Sequence, residues 1–66
     1  MKLFECADGV LINPLQVALV KSYQSEGKNY VMFAFLDDCT HEVRLSSKSY
    51  AEGEVKAFKQ HCNGDT

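Results

Sequence analysis

Apolar and polar residues alternate along most of this chain with a period that suits strands, and the period lengthens only near the C-terminus. Lys2 to Cys6 and Val10 to Ile12 read as two short strands around Ala7-Asp8-Gly9, where Gly9 can take a positive φ without steric cost. Asn13-Pro14 breaks the run, because Pro14 has no N–H for a ladder and Asn13 is pushed out of the helical region. One turn through Pro14 to Gln16 then leads into a third strand over Val17 to Tyr23. Gln24 to Asn29 is polar, contains Gly27 and reads as a loop. Tyr30 to Leu36 is the clearest strand, rich in aromatic and β-branched residues. After Asp37-Asp38, the stretch Thr40 to Ser46 alternates His41, Val43 and Leu45 with Thr40, Glu42 and Arg44.

The last segment has helical spacing. Ala51, Val55, Phe58 and Cys62 make one stripe of an amphipathic helix over residues 50–62. Ser49 and Glu52 have capping-box spacing, acids lead and Lys56, Lys59 and His61 follow, and Asn63-Gly64 supplies a stop. The expected fold is α+β: an antiparallel meander of four to five strands with one C-terminal helix on one face. A single domain, 1–66, is expected, with a short frayed tail after Asn63.

Composition narrows the function. A chain of 66 residues buries roughly 60% of its unfolded surface, which leaves no room for a second domain or an interdomain cleft. The core supplies about 3 to 5 kcal/mol, so self-association or a metal would be a meaningful supplement. Seven basic residues against nine acidic ones, interleaved along the chain, argue against a nucleic-acid binder. No apolar stretch approaches the ~20 residues that span a bilayer, and Phe4, Glu5 and Asp8 interrupt any leader-like run, so a cytoplasmic protein is expected. Cys6, Cys39 and Cys62 are odd in number and well separated, which points to free thiols.

The layout resembles the small FlbD/SwrD-type flagellar-associated proteins. Asp8-Gly9, Asn13-Pro14 with the apolar strand after it, Tyr30 to Leu36, the acidic turn and the Ser-started helix carry the resemblance. It implies the same architecture and brings no functional residues with it. The chain departs from that layout at Asp38-Cys39, where Asn-Gly or Asp-Gly would stand, and in its longer polar segment Gln24 to Asn29.

Candidate chemistry is sparse. Cys39 and His41 share a strand face, and His61 and Cys62 lie on the helix, but no paired-cysteine clamp exists and adjacent helical residues diverge by about 100°. Cys39 and Cys62 read instead as small core residues, and no metal or other cofactor is expected. A Cys39/His41 nucleophile is disfavoured by Asp37, Asp38 and Glu42, whose charges oppose a thiolate. Tyr23, Tyr30 and Tyr50 read as half-buried structural residues. The chain is expected not to be an enzyme.

An excess of apolar faces is more informative. Tyr30 to Leu36 is apolar on both sides, whereas Thr40 to Ser46 has one polar side. A connecting loop of three residues places Val31, Phe33 and Phe35 under the helix; two or four residues place Tyr30, Met32, Ala34 and Leu36 there. Either way one apolar set is left for the N-terminal strands or for another chain. The residues expected at an interface are therefore Tyr30, Val31, Met32, Phe33, Phe35, Glu42 and Arg44. The function expected is a protein-interaction module, an inhibitor or regulator of the kind found among small bacterial and phage proteins, acting on a protein partner as a homodimer. The alternative is a small-molecule or zinc-binding protein that uses the tyrosines or Cys39, His41, His61 and Cys62.

Overall fold

The computed structural model describes residues 2–64. The elements in chain order are β1 (Phe4–Glu5), β2 (Leu11–Ile12), a 3-10 turn at Pro14–Gln16, β3 (Val17–Ser25), β4 (Lys28–Phe35), β5 (Thr40–Leu45) and α1 (Lys48–Gly64). The architecture is α+β, with the helix packed on antiparallel sheet. The strands divide between a two-stranded sheet, β1-β2, and a three-stranded sheet, β3-β4-β5. Asn13-Pro14 is where they part, since the Asn13 side chain accepts from Leu15 N–H and caps the 3-10 turn. The expected frayed tail falls mostly on residues 65–66, outside the described residues.

Turn chemistry sets the register. The β3-β4 connection is far tighter than the polar composition of Gln24 to Asn29 suggests. Both strands run through it, paired down to Ser25↔Lys28. Glu26 and Gly27, at φ 54° and 77°, form the turn, and positive φ at both central residues matches the twist of the flanking strands. The β4-β5 turn has three residues, Leu36-Asp37-Asp38, between the bonded pair Phe35 and Cys39: the Phe35 N–H donates to Cys39 O at 2.8 Å, and the Asp38 N–H to Phe35 O at 3.1 Å. Asp38 sits at φ 70°, where Gly is the usual occupant. The β1-β2 loop repeats this arrangement: the Cys6 N–H donates to Val10 O, the Gly9 N–H to Cys6 O, and Gly9 has φ 87°. In both loops the middle Asp accepts from the N–H two residues on, Asp8 from Val10 and Asp37 from Cys39.

The three-residue loop pairs Val31 with Val43 and Phe33 with His41, and turns these residues toward the helix. Val31, Phe33, Val43, Ala51 and Phe58 form the core with Phe4, Cys6 and Ile12 from the N-terminal hairpin. Phe58 meets Phe4 and Phe33 edge-on, with ring centroids 5.2 and 5.3 Å apart. The N-terminal hairpin thus lies beside the helix, on the same side of the sheet. It does not close the opposite face.

The helix starts earlier than its capping-box spacing implies. The Ser47 hydroxyl, rather than Ser49, accepts from Tyr50 N–H at 3.2 Å. Glu54 accepts from Ala7 N–H at 2.6 Å and ties the helix to the first loop. Cys39 is exposed in the turn region rather than buried in the core, and Cys62 is half-buried; all three thiols are free. Tyr50 is exposed on the first turn of the helix instead of half-buried.

Candidate functional site

Two regions carry more than packing, and they lie on opposite sides of the three-stranded sheet. The first is the sheet face turned away from the helix. Cross-strand pairing arranges it in rows: Tyr23–Tyr30–Arg44, Lys21–Met32–Glu42 and Leu19–Ala34–Thr40. Tyr23 and Tyr30 stack, with centroids 5.3 Å apart and planes 22° apart. Tyr30, Met32 and Ala34 are half-buried by their neighbours, and Leu19 is 50% exposed. No described element lies over this face.

The interface residues expected from the sequence therefore divide. Tyr30, Met32, Glu42 and Arg44 share the open face. Val31 and Phe33 are wholly buried beneath the helix and have no surface to offer, and Phe35 packs against the same core. The alternation in β4 left these two sets indistinguishable; the number of residues in the next loop decides between them.

The second region joins the first loop to β5. Cys6 just after β1, Asp8 in the loop and His41 near the start of β5 bring their donor atoms within 4.8 Å of one another. His41 Nε2 lies 2.9 Å from Asp8 Oδ2, while Asp8 Oδ1 accepts from Val10 N–H. Burial raises the Asp8 carboxyl, but the Val10 N–H, the His41 ring hydrogen bond and the His41 charge together outweigh it and hold the carboxyl below its ordinary value. Burial, aided by the charges of Asp8 and Glu54, pushes the Cys6 thiol up to about 12. Cys6 is therefore no nucleophile at neutral pH.

His41 is the one member of the expected metal set that enters this cluster. Cys39 is exposed, its thiol raised by the hydrogen bond to Asp37 and then by that group's charge. The His61 ring donates from Nε2 to Lys2 O at 2.8 Å and lies edge-on to Phe4, so it clamps the helix to the N-terminal segment. Sequence reasoning passed over Cys6 and Asp8 because Cys6 reads as the end of a strand and Ala7-Asp8-Gly9 as a plain turn; that they face β5 is a tertiary fact.

Beside the cluster lies a cleft of about 390 Å³, lined by Ile12, Asn13, Gln16, Phe35, Asp37 and His41 among others. Leu11, Leu15 and Leu36, all more than half exposed, belong to the segments around it, and Leu36 N–H donates to Gln16 O at 2.8 Å. Among the described residues, no helix is long and apolar enough to cross a membrane. No family model, curated protein or solved structure matches the chain.

Proposed function

We propose that the chain is a small non-enzymatic protein-interaction module that pairs with a second copy of itself through the open sheet face and regulates a protein partner. The observation that carries this reading is the uncovered, aromatic-bearing face of β3-β4-β5. Two stacked tyrosines, Met32 and Leu19 lie on it with charges at its two edges.

Those charges favour a second copy as the occupant. Lys21 on β3 and Glu42 on β5 flank Met32. A twofold axis along β4, in the plane between two facing sheets, carries each Lys21 over the other copy's Glu42. The same operation sets Arg44 over the other copy's Tyr23, a cation–π arrangement, and stacks Met32 on Met32. The face is thus complementary to itself about one axis and repulsive about the perpendicular one, which would set Lys21 on Lys21. Three strands about 4.8 Å apart and about 26 Å long give roughly 370 Å² per copy before side-chain relief is counted. That is small beside the ~800 Å² per partner of a standard interface, so micromolar association is expected.

Light scattering at tens of micromolar tests the reading. The parent should show twice the mass of one chain. Glu42→Lys should shift it toward monomer, and adding Lys21→Glu should restore the dimer, because the double exchange recreates the pair with its signs swapped. A monomeric parent, or a double variant no better than the single one, overturns the pairing. For the partner, the cleft walled by Leu11 and Phe35 supports a second, separate docking surface.

A further inference from the structure

We propose that Cys6, Asp8 and His41 form a zinc site with three protein ligands that fastens the N-terminal hairpin to β5. Sulfur, imidazole nitrogen and carboxylate oxygen together suit a borderline-soft ion with no fixed geometric demand, and suit Mg²⁺ or Ca²⁺ poorly. Ligand–zinc distances of about 2.0 to 2.3 Å in a tetrahedron put neighbouring donor atoms about 3.5 Å apart. The three donor atoms here lie within 4.8 Å of one another, so a closing movement of roughly 1 Å completes the geometry. His41 Nε2 and Asp8 Oδ2, at 2.9 Å, already face each other.

The surroundings are arranged for a cation. Asp8 is held from behind: Oδ1 takes the Val10 N–H and leaves Oδ2 directed at His41, as outer hydrogen bonds orient metal-binding carboxylates. Cys6 is 3% exposed, with Asp8 and Glu54 both near enough for their charges to act on its thiol. Without a cation, that gathering of acids around a buried sulfur is unfavourable. A dication reverses the sign, stabilising the thiolate and satisfying the carboxylates at once. The ligands come from two separate parts of the fold, so the ion closes a loop of more than thirty residues between Asp8 and His41. His41 also lines the adjacent cleft, which leaves the fourth position for water or an anionic group of a bound molecule.

Cobalt titration of the metal-stripped full chain tests this, because a cobalt–thiolate bond gives its own charge-transfer absorption. One equivalent of Co²⁺ should produce that band, and Zn²⁺ should displace it. Cys6→Ala should abolish the band; Asp8→Asn, which keeps the Val10 hydrogen bond, and His41→Gln should each weaken binding at least about tenfold. Cys39→Ser and Cys62→Ser should leave it unchanged. Should Cys6→Ala fail to fold, the two other ligand variants decide, since Asp8 and His41 are partly exposed. Absence of the band in excess cobalt, its survival unaltered in Asp8→Asn and His41→Gln, or its loss in Cys39→Ser or Cys62→Ser overturns the site.

Discussion

Replacing Phe58 with Ala should remove most of the stability of this fold. The ring is 5% exposed and is held edge-on by Phe4 and Phe33, at centroid distances of 5.2 and 5.3 Å. Truncating a buried Phe costs about 3 to 5 kcal/mol, and the value here belongs at the upper end, because each lost aromatic pair is worth about 0.5 to 1.5 kcal/mol beyond its area. Collapse around the cavity is hindered. Phe33 is fixed in the central strand and Phe4 is tied through its pairing with Ile12. A core of this size supplies only about 3 to 5 kcal/mol. With a urea dependence of about 1 kcal/mol per molar, the transition should move by several molar, leaving the variant largely unfolded without denaturant. Far-UV circular dichroism in a urea series measures this, with Tyr50→Ala as the control, since Tyr50 is 64% exposed and should change stability by no more than about 0.5 kcal/mol. A Phe58→Ala midpoint within about half a molar of the parent would refute the three-ring core.

Two further perturbations follow from local geometry. Asp38→Gly should stabilise the chain by about 0.5 to 1 kcal/mol, because Asp38 holds φ 70° in a loop whose twin has Gly9 at the matching position; thermal unfolding that shows a loss would contradict the turn assignment. In the metal-stripped chain, alkaline pH should destabilise the parent more than Cys6→Ala. The Cys6 thiol rises from 9.0 to about 12 on folding, so above pH 9 the unfolded chain holds fewer protons than the folded one. Stability should then fall by roughly 1.4 kcal/mol per pH unit until about pH 12. Parallel pH–stability curves for parent and variant above pH 9 would show that the thiol ionises freely in the fold.

Much of the fold could be read from local pattern, and the failures share a cause. The helix stripe Ala51, Val55, Phe58 and Cys62 was readable because it depends on a 3.6-residue period. The polar stretch Gln24 to Asn29 misled because solvent-edge strand residues are polar too. Only Glu26-Gly27 bends, and positive φ at Glu26 is not announced by its identity. The distribution of β4 between core and open face hung on one integer, the length of the Leu36-Asp37-Asp38 loop, which reverses every side chain if it changes by one. The Cys6–Asp8–His41 cluster spans more than thirty residues and lies beyond any local window.

The two regions answer the same physical shortage from opposite sides. Eight of the described residues form the buried core, and the helix and the N-terminal hairpin both serve the same side of the sheet. Had the hairpin crossed to the other face, Phe4 could not meet Phe58 and Phe33, and the helix would lose its third ring. Closing the aromatic core therefore requires leaving Tyr23, Tyr30 and Met32 uncovered. The hairpin's own sheet has only two residues per strand; Phe4, Cys6 and Ile12 bury it in the core, and among the described residues Glu54, His61 and the His41–Asp8 pair add polar ties to the rest. A second copy would supply what the open face lacks, and a zinc ion what the hairpin lacks. The sheet separates the two sites, so Glu42→Lys should disturb association without changing cobalt binding, and His41→Gln should do the reverse.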